Sequence, residues 1–316
     1  MATNIISFSH VHKGFGEGEV ISDLSFDIPE KGIFVLVGPS GSGKTTTLKM
    51  INRLQDVDGG TISYLGKDVK DYDLRALRWQ IGYVLQQIAL FPNLTVRQNI
   101  NLIPEMQHMD AATKEKRGDE LLTAVGLPPK DYNARYPREL SGGESQRVGI
   151  VRALAADPPT ILMDEPFSAL DPLSRRQLQD LVLTLQTKLQ KTIVFVTHDM
   201  QEALKLGDQI AVMHNGRIEQ QGTPENILTH PATQFVASFF VGAHATSPQN
   251  TLGELIAAGY ARPVAATADY VPARTQLSAV LPALSRGESV IFKLEQQYYQ
   301  IDAARVLHFL FPDSVE

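Results

Sequence analysis

A glycine-rich loop between an apolar strand and a helix limits what this chain can fold into more than any other feature. The apolar run at residues 33–37 is typical of a buried parallel strand, and residues 46–54 have a helical pattern. The segment between them fits the pattern G-x-x-x-x-G-K-[ST] and consists of Gly38, Pro39, Ser40, Gly41, Ser42, Gly43, Lys44, Thr45 and Thr46. Glycines let a backbone wrap an anion, and the N–H groups at a helix start point toward it. The sequence therefore predicts a phosphate-binding loop, with Lys44 as a mobile charge and the Thr45 hydroxyl as a ligand for Mg²⁺.

The rest of the first 200 residues alternates short apolar runs with helical periodicity. Runs of the same kind as residues 33–37 lie at residues 81–85, 160–163 and 192–196, and residues 173–189 have a helical pattern. Such alternation indicates a parallel sheet with helical crossovers. Because the strand signal disappears between about residues 87 and 155, we predict an α/β fold with a helical subdomain in that stretch.

The length and a change in composition indicate a second, smaller domain. A chain of 316 residues exceeds one typical domain. Residues 242–251 are small and polar, which is typical of a linker. We therefore expect a first domain at residues 1–241, a linker at 242–252 and a C-terminal domain at 253–316. Within the last domain, the pattern predicts helices at residues 276–284 and 302–310. It predicts strands at residues 289–294 and 297–301.

The composition excludes several classes of function. The chain has 29 Lys and Arg against 35 Asp and Glu, a formal charge of −6, which disfavours sequence-independent binding of nucleic acid. The absence of cysteine excludes disulfides, thiolate metal sites and cysteine nucleophiles. Neither a secretory signal nor an apolar stretch long enough to cross a bilayer is recognisable, so we expect a cytoplasmic protein that reaches a membrane only through a partner.

Two consecutive carboxylates, Asp164 and Glu165, follow the apolar run at residues 160–163. Adjacent residues on a strand point to opposite sides, so one carboxylate can face Mg²⁺ and the other an attacking water. For the pair alone, a solvated strand end is the alternative interpretation.

A second glycine-rich turn precedes another helix. Ser141, Gly142, Gly143 and Glu144 lie directly before a helical pattern at residues 145–155 and indicate a second anion site. The alternative is a simple capped turn between two helices. Two anion sites in one chain imply either two ligands or one ligand shared between two copies.

These motifs occur in the order found in ATP-binding cassette (ABC) proteins. The series includes Gln86 after residues 81–85, a Ser-Ala-Leu-Asp segment at residues 168–171 and His198, and the resemblance covers about residues 3–241. Segments at residues 50–54, 86–92, 155–159 and 197–208 further resemble the ATPase subunit of importers for glycine betaine, carnitine and choline. The resemblance implies a P-loop NTPase fold of the ABC type, with a helical subdomain and an antiparallel β subdomain.

The resemblance also implies a role for each site residue, with ATP and Mg²⁺ as cofactors. Phe15 matches an aromatic residue that stacks on adenine, although a core phenylalanine is the alternative. Glu165 matches the carboxylate that polarises water, His198 an imidazole near the γ-phosphate, and Gln86 a residue that reaches Mg²⁺ and the membrane partner. Thr45, Gln86 and Asp164 are thus the expected metal ligands.

The family's active form implies a set of partners. It is a head-to-tail homodimer in which Ser141 and the glycines after it close on the γ-phosphate held by the other protomer. We therefore expect transmembrane permease subunits, an indirect solute-binding protein outside the membrane, a peripheral location on its cytoplasmic face, and no nucleic acid. The family usually has Gln where this chain has Glu144, so like-charge repulsion should weaken closure unless Glu144 points away or meets a cation.

The C-terminal domain resembles a single cystathionine-β-synthase-type (CBS) motif, which implies regulation. A lone motif should leave an apolar surface at residues 290–292 and 306–311 that pairs with a second protomer or, alternatively, caps its own cassette. Alternatives to an osmoprotectant importer are the ATPase of an amino-acid importer, such as one for methionine, and a non-transport ABC ATPase. The latter usually has a coiled-coil insertion or a second cassette, and neither is recognisable.

Overall fold

The computed structural model describes residues 3–16, 18–244, 251–267 and 269–310. The chain divides into two compact units, residues 1–198 with 215–217 and residues 199–214 with 218–316. None of the helices in the described ranges is long and apolar enough to cross a membrane.

Within the described residues, the first unit contains eight strands and seven α-helices. It begins with β1 (Asn4–Phe15), β2 (Gly18–Pro29), β3 (Gly32–Val37), α1 (Lys44–Ile51), β4 (Gly59–Tyr64), β5 (Lys67–Asp68), α2 (Leu74–Trp79) and β6 (Ile81–Val84). It continues with α3 (Val96–Met106), α4 (Ala111–Ala124), α5 (Pro129–Tyr132), α6 (Gly142–Leu154), β7 (Thr160–Asp164), α7 (Pro172–Leu189) and β8 (Thr192–Thr197).

The second unit carries the remaining elements. They are α8 (Met200–Leu206), β9 (Gln209–His214), β10 (Arg217–Gly222), α9 (Pro224–Thr229), α10 (Gln234–His244), α11 (Leu252–Ala257), β11 (Arg262–Val264), β12 (Val271–Pro272), α12 (Leu277–Ser285), β13 (Val290–Leu294), β14 (Gln297–Ile301) and α13 (Ala303–Leu310).

The parallel sheet of the first unit places the chemistry-bearing loops at one edge. Its strands follow the order β6-β7-β8-β3, and every pair is parallel. The register sets Val37 opposite Thr197 and Asp164 opposite Val196. Because the carboxyl ends of these strands are aligned, the loops that follow them meet at the same edge. The predicted α/β fold is thereby confirmed.

An antiparallel sheet with the order β2-β1-β4-β5 completes the strands of the first unit. Phe8 of β1 stacks on Phe26 of β2 with ring centroids 4.5 Å apart, and Phe26 lies 5.7 Å from Phe34 of β3. All three rings are buried. This aromatic stack joins the antiparallel sheet to the strand that leads into the glycine-rich loop.

Helices alone fill the described chain between β6 and β7. α3 packs against α4 and α6, and Arg97 of α3 forms an ion pair with Asp119 of α4 at 2.7 Å. The helical pattern predicted for this stretch is observed, whereas the boundaries at about residues 87 and 155 stay a prediction.

The C-terminal sheet has the order β11-β14-β13-β12, in which only β12 and β13 are parallel. The two helices and two strands predicted here correspond to α12, α13, β13 and β14 and lie within one residue of the predicted positions, whereas no positions were predicted for β11, β12 and α11. Both α12 and α13 pack against α10, and Val290, Phe292, Val306 and Leu307 are buried within a single copy. These four side chains are therefore covered by the second unit itself and are not available to a second protomer. Ile291 and Phe309 are half-buried, and the side chains of His308 and Leu310 and residue 311 lie outside the described residues. Pairing with a second protomer through what is left of this surface stays a prediction.

The predicted linker is described only at its ends. Residues 242–244 are the last residues of α10, and α11 begins at Leu252. Residues 245–250 lie outside the described residues. The predicted domain boundaries accordingly stay a prediction.

Candidate active site

The glycine-rich loop at residues 38–43 joins β3 to α1 and leaves the start of that helix open. Gly41 has φ +80° and Gly43 has φ +100°, a left-handed region that a side chain would strain. Gly43 is the N-cap of α1, and no side chain accepts a hydrogen bond at this cap. The first N–H groups of α1 thus remain available to an anion, as the sequence pattern predicts.

Lys44 is folded over the loop. Its side chain is buried, and Nζ donates hydrogen bonds to the carbonyl oxygens of Gly38 at 2.8 Å and Pro39 at 2.9 Å. Burial lowers the pKa of Lys44, while the carboxylates of Glu165 and Asp164 raise it. An ammonium has three N–H donors, so a phosphate oxygen can accept the third without breaking the other two bonds.

Ser42 provides a test of whether the loop suits an anion. Its hydroxyl is buried, and within the described part of the chain it has no hydrogen-bond partner. Buried hydroxyls are normally satisfied, so an unpaired one inside a phosphate-type loop calls for an acceptor from a ligand. The loop residues therefore fit a bound phosphate group.

Thr45 and Asp164 form the next layer of the site. The Thr45 hydroxyl donates to Asp164 Oδ1 at 2.8 Å, and the Tyr83 hydroxyl lies 3.5 Å from Oδ2. Burial raises the pKa of Asp164, whereas its hydrogen bond with Thr45 and the charge of Lys49 lower it. A divalent cation between these oxygens would favour the ionised carboxylate.

The donor set suits Mg²⁺ bound together with a phosphorylated ligand. In the ranges that the structure describes, no group of three or more His, Asp or Glu side chains could hold a metal alone. Mg²⁺ is usually bound by one or two carboxylates, waters and substrate phosphates. The Thr45 hydroxyl and Asp164 carboxylate beside the loop fit that pattern.

Glu165, His198 and Gln86 converge next to this layer. Glu165 Oε2 lies 3.1 Å from His198 Nδ1 and accepts a hydrogen bond from Gln86 Nε2 at 3.4 Å. Glu165 has φ +42°, an unusual value for a residue with a side chain, and its N–H donates to the carbonyl oxygen of Val196. The loops after β6, β7 and β8 thus bring three predicted catalytic side chains to one point.

Phe15 lies at the end of β1 and is not a core residue. Its side chain is 49% exposed, and Lys13 Nζ lies 5.3 Å from the ring centroid. Lys13 also forms an ion pair with Asp58 at 2.7 Å. The alternative of a buried core phenylalanine is therefore excluded, and an exposed ring with an adjacent cation is available for stacking.

The second glycine-rich turn has a hydrogen-bonded structure of its own. Ser141 is the N-cap of α6, its N–H donates to Glu144 Oε2 at 2.7 Å, and the Glu144 N–H donates to the Ser141 hydroxyl at 3.3 Å. The Tyr132 hydroxyl donates to Glu144 Oε1 at 2.5 Å. The hydrogen bond from Tyr132 is the main cause of the lowered pKa of Glu144, and that of Tyr132 is raised by the same bond.

These contacts determine where the Glu144 carboxylate points. Both carboxylate oxygens accept hydrogen bonds from their own chain, so the carboxylate points back into its capping box. A Cβ placed at Gly142 would meet nothing within 4 Å, so the surface of the turn is open. The Glu144 carboxylate thus stays charged but is held toward its own chain by Tyr132, a partner that no periodicity in the sequence identifies.

The predicted site residues consequently fall into three groups. The structure brings the loop, Asp164, Glu165, Gln86 and His198 together at one sheet edge. It places Phe15 on β1 and the Ser141 turn at the start of α6. Tyr83, which contacts Asp164, was not predicted, although its position two residues before the end of the run at 81–85 is a usable signal.

A largely apolar cleft of about 420 Å³ lies beside the loop that carries Gln86. Trp79, Leu85, Phe91 and Ile103 line it, and Phe91 is 47% exposed. Arg152 of α6 also lines the cleft and donates to the carbonyl oxygen of Ala89 at 2.6 Å. The cleft is therefore linked both to the Gln86 loop and to the helix that begins at the Ser141 turn.

Comparison with known proteins agrees with the motifs. Residues 21–168 match the family model described as ABC transporter. The osmoprotectant import ATP-binding protein OsmV of Salmonella typhimurium is 50% identical over 221 residues, 70% of this chain and 58% of that protein. The glycine betaine uptake system ATP-binding protein YehX of Escherichia coli is 47% identical over 236 residues, 75% of this chain and 76% of that protein. The match thus spans only somewhat more than half of the length of OsmV.

A solved structure shares the fold of most of the chain. It is the ATP-binding cassette MJ0796 in a dimeric post-hydrolysis state bound to ADP and Pi, which is 33% identical and superposes with a TM-score of 0.62. The superposition covers 69% of this chain and 98% of that one.

Proposed function

Because the chain belongs to the ABC transporter family, we propose that it is the ATP-binding and ATP-hydrolysing subunit of an importer for quaternary ammonium osmoprotectants. Glycine betaine, carnitine and choline are the substrate class. The identities of 50% and 47% to proteins named for osmoprotectant import and glycine betaine uptake support this class. The convergence of Glu165, His198 and Gln86 beside the loop supports hydrolysis, since a protein that only binds nucleotide has no need of a water-activating group.

In this proposal the loop residues bind the phosphates of ATP. The N–H groups at the start of α1 and the third N–H of Lys44 donate to phosphate oxygens, and the Ser42 hydroxyl gains the acceptor it lacks. Phe15 stacks on adenine, with Lys13 at the ring. Binding thus uses groups that are already oriented by the strand and helix on either side of the loop.

Thr45, Asp164 and Gln86 are the residues that would hold Mg²⁺. The bound ion would neutralise charge that develops on the phosphate oxygens during transfer. Tyr83 and Thr45 orient the Asp164 carboxylate for this role by their contacts with its two oxygens.

Glu165 activates the attacking water. Its carboxylate accepts a hydrogen bond from the water and increases the electron density on the oxygen that attacks the γ-phosphorus. Gln86 and His198 hold the Glu165 side chain in place through Oε2. His198 is half exposed and can also donate to a phosphate oxygen, which stabilises charge on the departing phosphate.

The active form is a homodimer in which the Ser141 turn of one copy contacts the γ-phosphate held by the other. The open surface at Gly142 and the N-terminus of α6 suit an approaching anion. The dimeric state of the MJ0796 cassette supports such an assembly.

The cleft beside Gln86 receives a short apolar helix of a membrane-embedded permease, so the protein is a peripheral subunit on the cytoplasmic face of the membrane. Three features support a permease helix in this cleft: the lining is apolar, Phe91 is exposed, and the cleft lies beside the Gln86 loop. Phe91→Asp should abolish copurification with the permease while ATP affinity stays unchanged. Leu65→Asp is the matched control, because Leu65 is 44% exposed in a turn outside the cleft. Loss of copurification in both variants would contradict the proposed location.

The C-terminal residues 253–316 form a regulatory domain with a single CBS-like motif. Of the predicted linker at 242–252, residues 242–244 belong to α10 and Leu252 belongs to α11. The strand and helix order from β12 to α13, with a parallel β12–β13 pair, supports this assignment. A solute-binding protein outside the membrane takes part only indirectly, through the permease.

Reconstitution tests the substrate class. The protein is incorporated into liposomes with the permease and solute-binding protein from the same organism, and ATP-dependent uptake of labelled glycine betaine, carnitine, choline and methionine is measured. Uptake of one or more quaternary amines, lost in Lys44→Ala, is the expected result. Uptake of methionine instead would identify an amino-acid importer, and ATP hydrolysis without uptake of any solute would contradict a transport role.

A further inference from the structure

Two tyrosine rings at the C-terminal sheet form a corner that holds the ammonium group of a lysine of the same chain. Tyr270 lies directly before β12 and Tyr298 lies on β14, with ring centroids 5.3 Å apart and ring planes at 88°. Lys293 of β13 is paired with Tyr298 in the register of the sheet. Its Nζ lies 5.5 Å from the centroid of Tyr270 and 5.2 Å from that of Tyr298.

The two rings are the partners of this ammonium group. Within the described ranges, no carboxylate or carbonyl oxygen forms an ion pair or hydrogen bond with the side-chain Nζ of Lys293. By contrast, Lys13, which also lies over a ring, is paired with Asp58 at 2.7 Å. The negative faces of the two tyrosine rings therefore provide the local stabilisation of the Lys293 charge.

A cation without N–H groups suits this corner better than lysine does. An ammonium over aromatic rings loses water that the rings do not replace as hydrogen-bond acceptors, whereas a methylated ammonium is weakly hydrated and fills the same place. Tyr270 is 44% exposed, so a ligand can reach the corner from solvent. Lys293 is only partly buried, so its side chain can move into water when a ligand enters.

We propose that Tyr270 and Tyr298 form a binding site for a small quaternary ammonium cation, in which Lys293 acts as an intramolecular competitor. The choice of ligand class rests on the proposed function, whereas the site rests on the ring geometry. The site would place a sensor for the transported class of compound in the C-terminal domain.

Binding of tetramethylammonium chloride to the full-length protein tests the site. The dissociation constant is measured by saturation-transfer NMR on the methyl protons, at an ionic strength kept constant with sodium chloride. Tyr270→Leu and Tyr298→Leu should each weaken binding about two- to fivefold, as expected for the loss of one exposed ring. Lys293→Thr should strengthen it about threefold or more, because it removes the competing charge.

Lys67→Thr is the matched control. Lys67 Nζ lies 4.8 Å from the ring of Tyr72 alone. Removal of the Lys67 ammonium therefore uncovers one ring and does not create a site between two rings. Binding in this variant should equal that of the wild type. Thermal melting of each variant establishes that the fold is retained, and Tyr270→Leu changes an exposed side chain outside the strands.

Two outcomes would overturn the proposal. One is an absence of binding by Lys293→Thr, and the other is binding that neither tyrosine variant weakens. Because the measurement uses neither ATP nor membrane partners, its failure leaves the proposed transport function standing. Conversely, if liposomes took up no quaternary amine, binding of tetramethylammonium at the two tyrosines would still establish the site.

Discussion

Glu165 combines an unusual backbone with a central position among the site residues. Its φ of +42° is maintained by a hydrogen bond from its N–H to Val196, and its carboxylate meets both His198 and Gln86. Strained residues of this kind persist only where surrounding contacts determine them. The backbone therefore directs the carboxylate, and in the proposed mechanism the carboxylate charge activates the water.

Replacement of Glu165 by Gln should separate these two contributions. Glu165→Gln keeps the size of the side chain, so ATP affinity should stay within about twofold, but turnover should fall at least about 100-fold because the water loses its base. Steady-state phosphate release and calorimetric ATP binding measure the two effects. Glu120→Gln, at an exposed position on α4, is the control and should leave both unchanged. Turnover near that of the wild type would show that another group activates the water.

A second prediction concerns the Glu144 carboxylate, which is held by a hydrogen bond from the Tyr132 hydroxyl. Tyr132→Phe removes the donor to Oε1 and should let the pKa of Glu144 rise toward its usual value. The loosened carboxylate would then lie nearer the shared nucleotide, so about threefold more ATP should be needed for half-maximal dimerisation. Light scattering against ATP concentration in the Glu165→Gln background measures this.

A double variant provides the control for Tyr132. In Tyr132→Phe with Glu144→Gln the charge is absent, and dimerisation should recover. If the double variant closes as weakly as the single one, Tyr132 acts through the shape of the turn and not through the carboxylate.

At the scale of elements, the two helix N-termini of the site differ in their need for glycine. Gly43 before α1 has φ +100°, whereas Gly142 at the start of α6 has no positive φ and has open space around it. The first position requires a left-handed backbone, whereas the described chain leaves room for a side chain at the second.

Alanine substitution should therefore be harmful at Gly43 and neutral at Gly142. Gly43→Ala should lower the free energy of unfolding by about 1–2 kcal/mol and weaken ATP binding, because alanine is strained at that φ. Gly142→Ala should leave both properties of the isolated chain unchanged. Urea unfolding and ATP titration test the pair. Equal destabilisation by both substitutions would mean that the loop backbone tolerates a side chain.

Whether a feature could be predicted from the sequence depended on how far apart in the chain its interacting residues lie. The loop at residues 38–43 could be predicted because strand, turn and helix are contiguous, and the order of the motifs identified the family. The Tyr132–Glu144 bond and the Tyr270–Tyr298 corner could not, because they join residues that no local periodicity connects. The hairpin at β9 and β10 was also missed, although Asn215 and Gly216, both with positive φ, are a recognised turn signal.

At the scale of the whole molecule, the second unit itself buries Val290, Phe292, Val306 and Leu307, which the sequence predicts to be offered to a partner. α10 packs against α12 and α13, and its Val236 and Phe240 are buried. These side chains are therefore covered without a second protomer.

Truncation after residue 244 removes α12 and α13 and should therefore expose the side of α10 that they cover. The full-length chain should be monomeric without nucleotide, while the truncated chain should aggregate and melt at a temperature lower by about 5 °C or more, because apolar area is returned to water. Light scattering and calorimetry measure mass and melting. A monomeric truncated chain with unchanged melting would show that α10 is stable alone, and a full-length dimer without ATP would restore the original expectation of pairing.

The lining of the cleft beside Gln86 has a spectroscopic consequence. Trp79 is the chain's single tryptophan, and it lies in that cleft. Indole emission therefore reports on one place in the molecule, without a label and without background from a second tryptophan. An apolar helix that enters the cleft would displace water from the ring and shift the emission to shorter wavelength, so the chain contains its own optical probe of docking.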